Sequence, residues 1–365
     1  MVAADVVVRV DAAIDAALGS RIVGCVVLVR RAGAEVYARA AGLADREYGE
    51  VMRRDGVFRL ASVTKPIVAA AALRMVDLGL LRLDDSVTQF LPEFRPRSPD
   101  GSVSPILLRQ LLSHSSGLTY GDSGAYSGGL SGPLISLEEN MRLLAAEPLV
   151  FAPGTGWEYG MSLDVLGVLI AAVNGTDVAG AVARYVTGPL GMVDTMFGVS
   201  DVARLVHPYA DGRPPRRMRE PEVVVGVDGS ATMFSIARIF DKTAPQSGGA
   251  GMAGTADDVM RLLEALRGDF LSPGLKEAAF ANQIADLPQR ERDAGKRFGF
   301  LGAVTVDPAL AATAMPVGAV DWGGAWGHNW VIDRRSETSL VVCTNTAFEG
   351  CNGAFREEVV RAVFG

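Results

Sequence analysis

The sequence predicts an α+β fold: one antiparallel sheet of about five strands flanked by helices, with a mostly helical insertion. Three observations predict it. A helix and a hairpin open the chain, a three-strand meander and a helix close it, and residues 80–245 between them pattern as helices and loops. Strands near both ends of the chain then fit into one sheet covered by helices.

The first predicted helix runs over roughly 3–18 and is closed by Gly19. Two β-rich runs follow, GCVVLVRR (24–31) and AEVYARAAGL (34–43), and Ala32-Gly33 between them suggests a hairpin. The next helix should begin close to Ser62. Pro66 cannot donate the bond that a helical residue 66 would make to carbonyl 62, so it belongs near the first turn. Ser136-Leu137-Glu138-Glu139 is a capping box opening a helix that stops before Pro148. Another helix spans Leu163 to Val173 and ends at Asn174-Gly175. SGGAGMAGT (247–255) is a glycine-rich approach to a helix, with Thr255 as N-cap and Asp258 three residues on. RFGFLGAVTV (297–306), GAWGHNWVIDR (324–334) and TSLVVCTNT (338–346) are the meander, and a helix over 355–363 ends the chain. We therefore expect a discontinuous α/β domain of residues 1–79 plus 246–365, a helical domain of residues 80–245, and an active site in the cleft between them. No internal repeat occurs.

Composition narrows the function. A chain of 365 residues, 49% apolar and 21% charged, can bury a large core and has the make-up of a soluble globular protein. A net charge of −7 gives no reason to expect nucleic acid as a partner. The basic cluster DGRPPRRMRE (211–220) sits among prolines and is expected to be a solvated loop. The opening residues have no apolar core of signal-peptide type, and no run of about 18 uncharged apolar residues exists, so a cytoplasmic protein without membrane contact is expected. Three cysteines, Cys25, Cys343 and Cys351, define no disulfide framework. Three histidines show no metal-ligand spacing, and neither metal nor cofactor is expected.

The chemistry centres on Ser62 and Lys65, an S-x-x-K pair in FRLASVTKP. Residues three apart on a helix share a face, so the lysine can reach the serine hydroxyl. First-turn N–H groups there favour developing negative charge. The alternative is an N-capping serine beside a solvated lysine. Tyr159, in FAPGTGWEYGMS (151–162), is the second candidate. A neighbouring ammonium should favour its phenolate, so Tyr159 and Lys65 could take the proton of Ser62 together. The alternative is a packed ring at a helix entry with its hydroxyl in water. Trp322-Gly323-Gly324-Ala325, at the start of a predicted strand, is the third. Adjacent glycines on a strand mark a close backbone approach, and a strand edge beside Ser62 could offer an N–H to an oxyanion. The alternative is a β-bulge with packing tryptophans.

Together these segments resemble the serine β-lactamase and penicillin-binding-protein superfamily, and more closely its esterase branch, the family VIII carboxylesterases related to class C β-lactamases. FRLASVTKPIVAAAALRMVDLGLLRLDDSVTQFLPEF, LLSHSSGLTY, FAPGTGWEYGMSLDVLG, SGGAGMAGTADDVMRLL, WGGAWGHNW and VVCTNTAFEG stand in the family's order. The resemblance implies a β-lactamase/transpeptidase-like fold. It implies Ser62 as nucleophile, Lys65 as its partner, and Tyr159 as base and then acid. It also implies an oxyanion hole from the N–H groups of Ser62 and Ala325, with Trp322, Gly323 and Gly324 where the lactamases have K-T-G. Tyr120 and Asp164 resemble residues that line or support the esterase pocket, on the substrate-binding side.

Two departures from the lactamase pattern point to substrate. Met161 stands where Y-x-N has its asparagine, so an amide holder is missing. Trp322 replaces a lysine, removing a cation placed to pair with a substrate carboxylate. Both favour small neutral esters, short acyl chains following from the resemblance, over penicillins; amide hydrolysis, acyl transfer and a silent binding protein remain the alternatives. No G-x-S-x-G elbow occurs. Of the histidines, only His328 is expected near the site, and a strand histidine more often bonds structurally.

Overall fold

The strand Gly24–Arg31 (β1) sets the layering of the molecule, seen in a computed structural model that describes residues 2–121, 128–131, 135–226, 229–289 and 294–365. Successive strand side chains point to opposite faces. Val26 and Leu28 enter one core while Cys25, Val27 and Val29 enter another, all buried. Burial on both faces is why this run is continuously apolar instead of alternating. Ala32 (φ +48°) and Gly33 (φ +79°) are both left-handed, the geometry of a tight hairpin, and return the chain into Ala34–Asp45 (β2).

The described strands of the main sheet number eight, all antiparallel. After β2 come Glu50–Val51 (β3), Lys296–Phe298 (β4), Ala303–Thr305 (β5), Val320–Gly324 (β6), His328–Asp333 (β7) and Thr338–Thr344 (β8). Their spatial order is β4-β5-β6-β7-β8-β1-β2-β3, so the last strand of the chain lies beside the first. In that register Cys343 faces Val26 and Val341 faces Leu28. About five strands were expected, and the difference has local causes. The run 297–306 doubles back where Gly299 N–H bonds to Gly302 carbonyl at 2.9 Å, making two short strands of one. The run 324–334 is a turn and a strand, because Gly327 (φ +111°) reverses the chain between β6 and β7. Trp322-Gly323-Gly324 is therefore the end of a strand, not its start.

Helices cover both faces. Val2–Ala17 (α1) and Ala354–Phe364 (α5) bury Val10, Ile14, Phe355 and Val359 against one face. Thr64–Asp77 (α2), Ser162–Asn174 (α3) and Ala256–Arg267 (α4) belong to the core on the other. Four consecutive alanines, Ala69–Ala72, keep α2 slim where it packs with α3. Its Ile67 and Leu73 are fully buried, each a contribution of about 1.5–3 kcal/mol. Thr255 caps α4, its Oγ1 accepting the N–H of Asp258, and α3 ends on left-handed Gly175 (φ +67°). No single described helix is long and apolar enough to cross a membrane.

The stretch 80–245 departs from helices and loops alone. It holds the helix Leu137–Ala146, with Ser136 accepting the N–H of Glu139, but also two β-ribbons. Tyr209–Ala210 pairs with Arg216–Arg217, and Glu222–Val225 with Ala231–Phe234. The basic cluster is largely the exposed loop expected, but Arg216–Arg217 within it is a strand. Arg217 bonds Asp45 at 2.5 Å and Arg216 bonds Glu222 at 2.8 Å, so opposite charge holds it in a ribbon.

Candidate active site

Ser62 stands on a turn clamped from several sides. The short strand Phe58–Arg59 pairs with Ala253–Gly254, and Leu60 N–H bonds to Met252 carbonyl at 2.8 Å. Ala61 then takes φ +45°, a left-handed conformation that costs a residue with a Cβ about 1–2 kcal/mol. A 3₁₀ turn over Ala61–Val63 leads into α2. Gly324 at the end of β6 lies against this turn: a Cβ there would sit 2.4 Å from the carbonyl oxygen of Leu60. The glycine is required by that close approach, and the approach brings Ala325 up to the serine's turn. Gly323 is crowded likewise, with Sγ of Cys351 2.7 Å from where its Cβ would be.

Around the Ser62 hydroxyl three side chains converge. Lys65 Nζ, only 3% exposed as a residue, donates to Ser62 Oγ at 3.2 Å, to Tyr120 Oη at 2.9 Å and to Gly249 carbonyl at 2.8 Å. Tyr159 Oη lies 2.9 Å from Ser62 Oγ, in hydrogen-bond contact. Trp322 Nε1–H donates to Tyr159 Oη at 3.1 Å. Ser62, Tyr120, Tyr159, Trp322 and Ala325 are half-buried, which leaves them open to a ligand. The arrangement can pass a proton between Ser62 and Tyr159 while a cation and an indole donor stabilise negative charge on that pair.

The partner that Lys65 bonds directly is Tyr120, while Tyr159 meets it through its ring face, Nζ 4.7 Å from the centroid. Burial, with smaller contributions from Tyr159 and Asp164, pushes the Tyr120 phenol well above 10. It therefore serves as a neutral dipole beside the ammonium. Asp164 is 3% exposed and sits behind the lysine, a supporting position and not a contact surface for substrate. Its Oδ1 accepts from Ser247 Oγ at 2.5 Å, and that hydroxyl in turn accepts the N–H of Ala250 at 3.0 Å. The loop so held presents Gly249 carbonyl to Lys65. Burial raises the Asp164 carboxyl, with Lys65 and the Ser247 bond acting against it.

His328 makes the structural bond expected of a strand histidine, but it is not the only histidine near the site. His328 is buried on β7 with Nε2 2.7 Å from the carbonyl of Arg59, a structural bond, and burial lowers it to about 4. His114 is the one beside the site. Its ring packs 4.8 Å from Tyr159 and 5.2 Å from Phe298, and its Nδ1 accepts the N–H of Gly160 at 3.3 Å. Desolvation, then the charge of Lys65, lowers it well below 6.5, so it packs as a neutral ring. A signal for it existed in SHSSGLTY, which carries Tyr120 as well; nothing in the string told packing from catalysis. Gly249 acts through its backbone carbonyl, which leaves no side chain to read, although it and Ser247 lie in SGGAGMAGT.

Residues 10–363 match the family model described as Beta-lactamase. Esterase EstB of Burkholderia gladioli is 46% identical over 99% of this chain and 96% of its own length. The solved structure of EstCE1, described as a hydrolase with promiscuous acyltransferase activity, superposes with a TM-score of 0.93 at 36% identity, covering 100% of this chain and 99% of that one. Simvastatin synthase (LovD) from Aspergillus terreus, at 22% identity, TM-score 0.75 and 98% and 97% coverage, shares the fold.

Proposed function

The chain belongs to the beta-lactamase family, and on that premise we propose that it is a carboxylesterase, a serine hydrolase acting on short-chain esters through an acyl-enzyme on Ser62. The observation that carries this reading is the Ser62 hydroxyl held between Tyr159 Oη at 2.9 Å and Lys65 Nζ at 3.2 Å. In this reading the ester enters between a unit of residues 1–79 and 246–365 and a second of residues 80–245. Ser62 attacks the carbonyl and Tyr159 accepts its proton across their contact. The oxyanion rests on the N–H groups of Ser62 and Ala325, an interaction worth about 3–4 kcal/mol for one such donor. Tyr159 returns the proton to the departing alkoxide. Water then follows the same route and frees the acid, giving ping-pong kinetics. Lys65 orients Ser62 and carries the positive charge opposite the developing negative one.

Neutral esters are the preferred class because Trp322 offers an indole N–H and an apolar ring where a lysine would attract a carboxylate. Met161 is fully buried in the core, so its position contributes no amide to a substrate. Three free thiols at Cys25, Cys343 and Cys351 support a reducing, cytoplasmic setting. The test is mass spectrometry of a phosphonate adduct on wild type, Ser62→Ala and Tyr159→Phe. Wild type should label at Ser62, the alanine variant not at all, and the phenylalanine variant far more slowly. Equal labelling of Tyr159→Phe and wild type would overturn the role given to that tyrosine. Acyl transfer is a second reading, favoured by the activity described for EstCE1; product partitioning toward an added alcohol over water measures it.

A further inference from the structure

Two arginines beside the catalytic turn are buried without an ion pair among the described residues. Arg59 and Arg238 are each 8% exposed, and both line one cavity of about 450 Å³, within the size range of small-molecule sites. A guanidinium has five N–H donors and no acceptor. Arg59 uses Nη1 on the carbonyl of Val206 at 3.3 Å and Nη2 on that of Ile236 at 2.8 Å, and its Nε has no partner. Arg238 uses Nη2 on the carbonyl of Pro245 at 2.9 Å, and its Nη1 has none. The carboxylates nearest in charge form no ion pair with either arginine among the described residues, although Oδ2 of the buried Asp164 also lacks a partner. Glu220 accepts from Ser235 Oγ and the N–H of Ala237, Asp241 from Thr243, and Asp164 from Ser247. A buried cation without a counter-ion is costly, and two facing one cavity call for an anion there.

The rest of the cavity wall is mixed, with Ser235, Asp241, Lys242 and Gln246 among apolar side chains. Met196, Phe197, Val202, Met252 and Trp326 contribute to its wall, and the guanidinium of Arg59 lies 5.6 Å from the Trp326 ring. Its wall residues adjoin the catalytic site in sequence, although Ser62, Lys65, Tyr159 and Trp322 do not line it. Ala250 to Met252 continue from the Gly249 carbonyl that holds Lys65, Trp326 follows Ala325, and Arg59 precedes Ser62 by three residues. We propose that this cavity binds an organic carboxylate with an apolar body, its head group on the free guanidinium edges of Arg59 and Arg238 and its body along Trp326 and Met252. The choice of a carboxylate among organic anions rests on the esterase reading, whose product is a carboxylic acid. Bidentate pairing of guanidinium with carboxylate supplies the recognition.

Calorimetric titration of the full chain with octanoate, and with 1-octanol as its neutral counterpart, tests the site without any turnover. Failure of octanoate to bind therefore stands apart from failure of Ser62 to label. Octanoate should bind once per chain, octanol at least tenfold more weakly, and Arg238→Gln should weaken octanoate at least tenfold. Equal binding of acid and alcohol, no binding of octanoate at millimolar concentration, or an unchanged affinity in folded Arg238→Gln would overturn the proposal. Should that variant not fold, a wild-type crystal grown with octanoate decides: a carboxylate within hydrogen-bond distance of Arg59 or Arg238 supports the site, and octanoate bound only elsewhere overturns it. Monomethyl and dimethyl suberate then separate the sources. Faster turnover of the monoester assigns the carboxylate to the substrate itself, and inhibition by octanoate without that preference assigns it to the free acid.

Discussion

Replacing Trp322 with phenylalanine removes one hydrogen bond and little else, which makes it the sharpest probe of the site. The indole N–H donates to Tyr159 Oη at 3.1 Å, while the rings of Tyr159 and Phe298 pack against Trp322 at 4.9 and 5.1 Å. Phenylalanine keeps most of that packing. A neutral hydrogen bond contributes about 0.5–1.5 kcal/mol net, and one to a charged oxygen about 1.5–3 kcal/mol. Measured from its neutral phenol, only the excess gained as Tyr159 becomes the phenolate that takes the serine proton lowers the barrier, because a bond made equally in ground and transition states leaves kcat alone. That excess is roughly 1–1.5 kcal/mol, or about a five- to tenfold fall in kcat at 25 °C. Stability should fall by no more than about 1.5 kcal/mol, the neutral bond itself. The assay is steady-state hydrolysis of p-nitrophenyl butyrate by wild type and Trp322→Phe, with urea unfolding of both. A kcat within twofold of wild type, in a variant destabilised as expected, would refute the idea that this N–H acts on the reacting tyrosine.

Three further outcomes follow from the same geometry. Tyr120→Phe removes a 2.9 Å acceptor from Lys65, a bond to a charged group worth about 1.5–3 kcal/mol, and should lower kcat/KM roughly 10- to 100-fold; an unchanged rate shows that Ser62 and Gly249 hold the lysine alone. Gly324→Ala places a Cβ 2.4 Å from Leu60 carbonyl, and the forced shift of the serine's turn should cost about 100-fold in kcat with a lower Tm, whereas wild-type kinetics would show that β6 does not fix the turn. The third concerns acid. His328 is about 4 when folded and 6.5 ordinarily, so it contributes stability that is fully present above 6.5 and lost as pH falls toward 4. The gap converts to about 3 kcal/mol, and urea unfolding at pH 7 and 4.5 should show a smaller acid loss in His328→Gln than in wild type; equal losses would clear this histidine.

What could be read from the chain follows from which contacts are local. Ser62 and Lys65 are one turn apart, so their meeting is a property of the helix and needs no tertiary information. Gly323-Gly324 announced a close approach because only glycine tolerates one, although the strand was placed one turn late. The hairpin β1–β2 and the caps of α3 and α4 were legible for the same local reason. Contacts across the fold were not. Lys65 meets Tyr120 and Gly249 from 55 and 184 residues away, and the indole N–H of Trp322 is polar only in its direction toward Tyr159. The count of strands failed where pairs of glycines or a single left-handed residue broke a run that composition leaves continuous. His114 was missed beside the site because burial and ring packing place it there, and neither has a sequence period.

The strain at Ala61 links these points to the position of the nucleophile. A left-handed alanine persists only where its surroundings over-determine it. Here Leu60 N–H is tied to Met252, Met252 N–H to Thr64 Oγ1 at 3.2 Å, and the carbonyl of Arg59 to His328 on β7. Gly324 presses on the same turn from β6. Met252, β6 and β7, all far from Ser62 in sequence, thus converge on the three residues before the serine and the two after it. Each belongs to the sheet or adjoins the strand pair beside it. Ser62 is consequently fixed relative to β6, whose end carries both Ala325 and Trp322, and the nucleophile, the proposed oxyanion donors and the donor to Tyr159 are positioned by one rigid unit. Tyr159 and Tyr120 come from the stretch 80–245 and meet that frame at Ser62 and Lys65, at 2.9 Å each.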